Sequence, residues 1–164
     1  MTDLRQLVAR LLTAISVLVF VVLLIDVLWG VLTRYAFGHQ APWSEELARL
    51  LLVWLSMLGT ALAYGQHSHL GVDILLQNIT PEARRLAEIA IHAIVLAFVA
   101  AVMVYGGTQL FLERLDAGQV MATLPVRKAW MYLAIPTSGA AMTVFAFDSL
   151  VSALRGTTVA APEV

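Results

Sequence analysis

Four apolar runs, each long enough to cross a membrane as a helix, are the feature that most restricts how this chain can fold. They cover about residues 11–33, 46–65, 86–111 and 130–154, and a helix needs about 20 apolar residues to cross the hydrocarbon core of a bilayer. Short polar stretches separate the runs and leave almost nothing for a domain in water. The pattern predicts an all-α membrane protein with four transmembrane helices and short loops, which form a single membrane domain over residues 1–155.

The composition agrees with a chain whose surface faces lipid. Of its 164 residues, 60% are hydrophobic and 13% are charged, and such a chain cannot present a normal polar surface to water. We therefore expect membrane lipid to be a partner. The net charge of −1 and the absence of a basic stripe predict no nucleic-acid partner. The sequence has no cysteine, which excludes disulfides, thiolate catalysis and cysteine metal sites.

The first apolar run could be mistaken for a secretory signal, because two arginines precede it. No small-residue cleavage site follows residues 11–25, and Asp26 comes next, so we expect this helix to be retained. Aromatic residues lie near the ends of the runs, where amphipathic rings favour the headgroup region. These residues are Trp29, Tyr35, Trp43, Trp130 and Tyr132.

The charges do not decide the orientation of the chain in the membrane. Four spans place both termini on one side, and the ten Lys and Arg residues divide equally between the two sides. Arg5 and Arg10 flank the first span, which usually dominates orientation, so we expect cytoplasmic termini. Residues 156–164 have too little apolar content to order themselves and are expected to form a short disordered tail.

Two acidic residues lie inside apolar runs. Asp26 is well inside the first run, and an acidic group near the bilayer centre costs about 3 kcal/mol to insert. It is either a proton or cation site or an interfacial carboxylate that stays hydrated, and the nearby Trp29 and Arg34 favour hydration. Asp148, late in the fourth run, has the same two alternatives. If both termini share one side, the two carboxylates approach opposite faces and cannot form one paired site.

Several histidines lie on the side of the membrane that carries the termini. Arg84, Glu88 and His92 are spaced four apart and would share one helix face, which we interpret as a solvated helix entry. His67 and His69 end the second run, and two imidazoles facing each other across a bundle can ligate haem iron. Nothing in the sequence indicates that these histidines lie at the same depth in the membrane as His92, which a shared haem would require. A haem- or quinone-associated four-helix membrane anchor is therefore kept as an alternative function.

Small residues at four-residue spacing permit close contact between helices in a membrane. Gly59 and Ala63 form such a row in the second run, and Ala93, Ala97 and Ala101 form one in the third. Each row is either a helix contact or ordinary alanine-rich filler.

The densest group of polar residues opens the second run, at residues 42–49. Ser44 can cap the helix, and Glu45 and Glu46 suit its positive end. Glu45 and Arg49 can pair at i, i+4. No Ser or Cys nucleophile with an adjacent base, glycine-rich phosphate loop or zinc-spaced ligand set occurs in the sequence. We therefore expect no enzyme activity, no metal site and no cofactor.

The same segment opens a longer motif, in which W-S-E-E-L-A-R is followed by W-x4-G and then by H-x-G-V-D. In combination these elements resemble the small membrane subunit of tripartite ATP-independent periplasmic (TRAP) transporters, over nearly the whole chain. The matching residues are Trp43, Glu45, Glu46, Arg49, Trp54, Gly59, Ala61, His69 and Asp73, with looser matches at Gly106, Gln109, residues 123–125, Tyr132, Ile135, Pro136 and Gly139.

The resemblance implies a bacterial inner-membrane protein with cytoplasmic termini that works in a complex. Its partners would be a large multi-spanning membrane subunit, which carries substrate and sodium, and a periplasmic protein that delivers the substrate. The substrates of the family are typically organic acids. The small subunit would be a non-catalytic scaffold that also touches the periplasmic protein through its first and third loops.

The resemblance also suggests roles for the motif residues. Trp43, Glu45, Glu46 and Arg49 would position the second helix, with Trp54 and Gly59 belonging to the same structural or subunit-interface motif. His69 and Asp73 would stabilise the turn after that helix. A stand-alone small transporter is a further alternative, and it predicts transport by the purified chain without any partner.

Overall fold

The computed structural model describes residues 3–67 and 81–155, which are almost entirely helical. Within these residues, four helical units are long and apolar enough to cross a membrane, which confirms the predicted architecture. The helices are α1 (Asp3–Phe37), α2 (Pro42–His67), α3 (Pro81–Phe98), a continuous π-helical stretch (Val99–Gly106), α4 (Gly107–Asp116), α5 (Ala129–Tyr132) and α6 (Ala134–Arg155). Among the motif residues, His69 and Asp73 lie outside the described residues, as does the tail 156–164.

The helices extend beyond the apolar runs that predicted them. The 35 residues of α1 span about 52 Å at 1.5 Å per residue, against about 30 Å for a hydrocarbon core. Apolarity marks only the part of a helix that lies in lipid, whereas backbone hydrogen bonds continue the helix into the polar region. The first helix therefore starts at Asp3, ahead of the apolar run that begins near residue 11.

The loop between α1 and α2 is tight. Gly38 has a φ of +77°, in the left-handed region that glycine adopts without steric cost. The Thr33 hydroxyl accepts a hydrogen bond from the Ala41 backbone N–H at 3.4 Å. Pro42 opens α2 at the first helical position, where its missing N–H is not needed. These features reverse the chain within a few residues and bring α2 back along α1.

One narrow strip of α1 packs against the rest of the chain, mainly against α2. Its positions alternate in steps of four and three residues, which is the heptad spacing of helices that pack along their whole length. Most other side chains of α1 are exposed, including Leu18 at 63% and Ile25 at 61%. The strip consists of Arg5, Ala9, Leu12, Ser16, Val19, Leu23, Asp26, Gly30 and Thr33.

The last helix, α6, holds the spans together. It packs against α2 on one side and against α3 and the π-helical stretch on the other. Phe145 of α6 is 1% exposed and belongs to the main apolar cluster. The other buried members of the cluster are Leu12, Leu58, Ala61, Val99 and Met142.

Glycines make the closest contacts between helices. A methyl group added at Gly139 of α6 would lie 2.7 Å from the Met103 Cβ in the π-helical stretch. One at Gly107 would lie 2.8 Å from the Ile135 Cγ2, and one at Gly65 would lie 2.8 Å from the Phe145 ring. Such contacts match the expectation that small residues let membrane helices approach.

The two rows of small residues that were candidates for helix contacts do not pack within the described part of the chain. Apart from the backbone of its own helix and its chain neighbours, no atom of the described residues lies within 4 Å of a methyl group added at Gly59. Ala63, Ala93, Ala97 and Ala101 are exposed. Of the two alternatives that the sequence left open, the structure therefore does not support contacts within this chain, because the rows lie on faces that point away from the neighbouring helices. The prediction that Gly59 belongs to an interface with another subunit is a separate one.

Candidate functional site

The first turn of α2 carries an ion pair that the sequence predicts. The Arg49 guanidinium donates to Glu45 Oε1 at 3.0 Å, and the two side chains are 66% and 70% exposed. The i, i+4 pairing of these residues is thus confirmed. Exposed pairs of this kind contribute little, about 0.5 kcal/mol at most.

Ser44 does not cap α2, so that prediction is wrong. The helix begins at Pro42, which places Ser44 inside the first turn. Its hydroxyl donates to the backbone carbonyl oxygen of Asp26 at 3.2 Å, and the residue is 1% exposed. A methyl group added at Gly30 would lie 3.0 Å from the Ser44 Oγ. The serine therefore fixes the crossing of α1 and α2 instead of the start of α2.

Glu46, one residue beyond Glu45, binds the third loop. We call residues 117–128, between α4 and α5, loop three. Glu46 Oε1 accepts the Ala122 N–H at 2.9 Å, and Oε2 accepts the N–H groups of Thr123 and Leu124 at 2.9 and 3.2 Å. The Thr123 hydroxyl donates to Oε2 at 2.6 Å. One carboxylate thus satisfies three consecutive backbone donors and a hydroxyl, and hydrogen bonds to a charged acceptor are the stronger kind.

Loop three has a defined structure of its own. The Met121 N–H donates to the Val126 carbonyl, and the Lys128 N–H to the Gln119 carbonyl, both at 2.9 Å. The loop leaves α4 through Gly118, whose φ of +64° favours glycine. It is therefore a short, paired loop and not an open connection.

Trp54 provides the second contact between α2 and this part of the chain. Its indole N–H donates to the Trp130 carbonyl oxygen in α5 at 3.0 Å. Glu46 and Trp54 are two i, i+4 steps apart and so share one face of α2. We call these two residues the loop-three cradle, because one holds the middle of the loop and the other holds the helix that follows it.

A second polar cluster lies at the opposite end of the spans. Arg5 of α1 donates from Nη1 to Asp148 Oδ2 of α6 at 3.1 Å, and from Nη2 to the Gly65 carbonyl of α2 at 2.7 Å. The Arg5 and Asp148 side chains are only 9% and 17% exposed. We call Arg5, Gly65 and Asp148 the terminal joint, since it ties three spans together.

From the sequence, Asp148 was expected to stay hydrated. In the structure it forms an ion pair with Arg5 in the terminal joint. The two carboxylates Asp148 and Asp26 lie far apart along the helices, so they do not form one paired site. Arg5 holds Asp148 near the start of α1, and Asp26 lies about 30 Å further along that helix. No local signal identifies Arg5 as a buried group, except its place in the heptad strip of α1.

The prediction that His92 lies on a solvated face of α3 is wrong. This histidine is 2% exposed, and its Nδ1 lies 3.4 Å from the Tyr64 hydroxyl of α2. The Arg85 guanidinium donates to the Leu154 carbonyl of α6 at 2.6 Å. These two contacts attach α3 to its neighbours at the end that carries the terminal joint.

The sequence favoured a hydrated Asp26, but the structure shows that this residue is buried. It is 4% exposed, and neither carboxylate oxygen has a hydrogen-bond partner among the described residues. The reason is its position in the strip that α2 covers. Proximity to Trp29 and Arg34 along the chain did not keep it at the surface.

We expect Asp26→Leu to raise the stability of the purified chain by about 1 kcal/mol or more, because a buried polar group without a partner is destabilising. Thermal unfolding in mild detergent measures this effect. Asp148→Leu is the matched control, and we expect it to lower stability because it leaves the buried Arg5 guanidinium without its carboxylate partner. A loss of stability for Asp26→Leu would show that the carboxylate has a stabilising partner.

A sequence profile described as "Tripartite ATP-independent periplasmic transporters, DctQ component" matches residues 23–156. The matched segment includes the loop-three cradle and Asp148. The chain belongs to this family. As a DctQ-family protein it is a small TRAP permease, a transport component of the inner membrane and not an enzyme.

Individual relatives of this DctQ-family chain agree with the profile. The small permease protein SiaQ of a sialic acid TRAP transporter from Vibrio cholerae is 25% identical over 152 residues, which are 93% of this chain and 86% of SiaQ. The C4-dicarboxylate TRAP transporter small permease protein DctQ of Rhodobacter capsulatus is 27% identical over 113 residues, 67% of this chain and 48% of that protein. The isethionate TRAP transporter permease protein DctMQ of Oleidesulfovibrio alaskensis is 26% identical over 115 residues, 70% of this chain and 18% of that protein.

The motif residues of this small TRAP permease divide into groups by their contacts. Glu46 and Trp54 form the cradle, while Glu45 and Arg49 pair with each other at the surface. Trp43 is 39% exposed, in agreement with its place near the end of a span. Among the described residues Trp43, Glu45, Glu46, Arg49, Trp54 and Gly59, only the two of the cradle form hydrogen bonds with a distant part of the chain, so the cradle is the candidate functional site.

Proposed function

We propose that this chain is the non-catalytic scaffold subunit of a sodium-coupled transporter for an organic acid. It would bind the large multi-spanning membrane subunit and hold it in the bilayer, while a periplasmic protein delivers the substrate. The observation that supports this proposal most directly is that the polar contacts join segments of this chain, which leaves an apolar face free for a partner. The terminal joint and the cradle connect segments of this chain, and the apolar face of α1 stays exposed.

The relatives support the partner and the substrate class. In the DctMQ permease, the segment similar to this chain covers 18% of a much longer protein, which supports a large membrane subunit as the partner. The names of the relatives give sialic acid, C4-dicarboxylate and isethionate as substrates. All three are organic anions, and we extend that class to the transporter that contains this chain.

The proposal also sets an orientation. With cytoplasmic termini, the terminal joint lies on the cytoplasmic side, and loop three lies on the periplasmic side with the loop between α1 and α2. Loop three would then meet the periplasmic protein. The paired backbone of loop three supports this role, because a preformed surface loses less conformational freedom on binding.

Native mass spectrometry of the tagged chain, extracted from its own host in mild detergent, tests this function. We expect recovery with one large polytopic membrane protein and without a bound cofactor. Uptake of organic anions should require both proteins and a sodium gradient. Recovery of the chain alone with transport activity, or with a haem mass attached, would contradict the proposal in favour of a stand-alone transporter or a haem anchor.

A further inference from the structure

Loop three has the surface of a docking element. Val120 is 52% exposed on one side of the paired loop, and Arg127, which lies opposite it, and Lys128 are exposed as well. An apolar contact flanked by two cations suits a protein surface that carries acidic groups. The same cations could attract anionic lipid headgroups, but that attraction needs only charge. The paired backbone of the loop favours recognition by shape, and therefore a protein partner.

Glu46 binds the turn of the loop. Its carboxylate accepts hydrogen bonds from the backbone of three consecutive loop residues, Ala122, Thr123 and Leu124. No single neutral side chain can replace it, because a carboxylate offers two oxygens that only accept hydrogen bonds. A glutamine would turn an NH₂ group towards N–H donors. That substitution weakens the hold on the loop, because it removes the charge and one of the two accepting oxygens while it keeps the size of the side chain.

The contacts of Glu46 separate loop order from helix packing. Its hydrogen bonds all go to loop three, whereas α2 packs against α1 and α6 through buried apolar groups such as Leu58 and Phe145. Glu45, the adjacent residue, contacts Arg49 on the same helix. The chain thus contains its own matched control, a neighbouring glutamate of equal charge that does not hold the loop.

We propose that Glu46 is a positioning residue that holds loop three in the conformation to which the periplasmic substrate-binding protein docks. The inference rests on the proposed function, which supplies the partner and the side of the membrane. Glu46 acts through Val120, Arg127 and Lys128, which form the contact surface. It touches neither the substrate nor the binding protein.

The test compares Glu46→Gln with Glu45→Gln in the complete transporter, reconstituted in lipid nanodiscs. Hydrogen exchange of the amides of residues 119–128 reports the order of the loop. Titration of nanodiscs with the purified binding protein reports docking. For Glu46→Gln we expect faster exchange and about tenfold weaker docking, which corresponds to about 1.4 kcal/mol. We expect Glu45→Gln to match the wild type in both measurements.

Two further readouts distinguish positioning from assembly. Large-subunit recovery should be equal for both variants, and the concentration of binding protein that half-saturates uptake should rise only for Glu46→Gln. Thr123→Val, which removes one of the four donors, should give an intermediate effect. Loss of the large subunit in Glu46→Gln would overturn the inference by making Glu46 an assembly residue.

Other outcomes are equally decisive. Docking that stays unchanged while exchange increases would overturn the inference and leave the proposed function intact. Docking that is lost for every variant when anionic lipid is omitted would assign the basic pair to lipid and overturn it as well. Failure of the wild-type complex to bind any binding protein would instead contradict the proposed function.

Discussion

Gly139→Ala is expected to lower the free energy of unfolding of the purified chain by about 3 kcal/mol, the upper part of the range for overpacked cores. The added methyl group would lie 2.7 Å from the Met103 Cβ, 3.2 Å from the Met103 backbone carbon and 3.3 Å from a Val104 methyl. None of these atoms is the far end of a flexible side chain, so α6 must move away from the π-helical stretch. Thermal unfolding in mild detergent measures the loss.

Gly59→Ala is the matched control for this substitution. The added methyl group has no described neighbour within 4 Å apart from the backbone of its own helix and its chain neighbours, and alanine is the better helix former. Stability should stay equal or rise slightly. Equal losses for the two variants would show that α6 does not contact the π-helical stretch through Gly139. If Gly59→Ala reduces recovery of the large subunit, the prediction that Gly59 belongs to a subunit interface gains support.

Arg5→Ala is expected to destabilise the chain by about 3 kcal/mol, because it leaves the Asp148 carboxylate buried without its partner. It also removes the donor to the Gly65 carbonyl. The matched control is Arg10→Ala, which removes the same charge from the same terminus at an exposed position. A surface change of this kind costs about 0.5 kcal/mol or less.

A double-mutant cycle sharpens this second test. The joint change Arg5→Ala with Asp148→Ala should cost clearly less than the sum of the two single changes, since neither charge is then left unpaired. Equal losses for Arg5→Ala and Arg10→Ala would mean that the arginines act only through membrane orientation. Additive losses in the cycle would mean that the ion pair in the terminal joint does not contribute to stability.

The features that could be predicted from the sequence are those encoded by neighbouring residues. The four spans follow from the length of the apolar runs, and the Glu45–Arg49 pair follows from its i, i+4 spacing. The combination of W-S-E-E-L-A-R, W-x4-G and H-x-G-V-D predicted the family, which the profile match confirms. Each of these conclusions needs only a short segment at a time.

The features that could not be predicted depend on segments that are far apart along the chain. Glu46 binds Thr123, which lies 77 residues later, and Arg5 binds Asp148, 143 residues later. From the sequence alone, Glu46 was assigned only to the start of its own helix. Asp26 was expected to stay hydrated, because nothing local shows which face of α1 is covered by α2. The heptad strip of α1 was the one signal in the sequence that could have predicted this burial.

The sequence by itself determined that the chain crosses the membrane four times and which family it belongs to. The hydrocarbon core requires every span to be long, apolar and internally hydrogen-bonded, so each crossing can be recognised from one segment of the sequence. The tertiary structure alone decided which glycines admit a neighbouring helix and which carboxylates find partners. Lipid is as apolar as the helices, so their association depends on close fit and a few polar contacts. Fit and polar contacts are properties of two surfaces together, and neither surface reveals them alone.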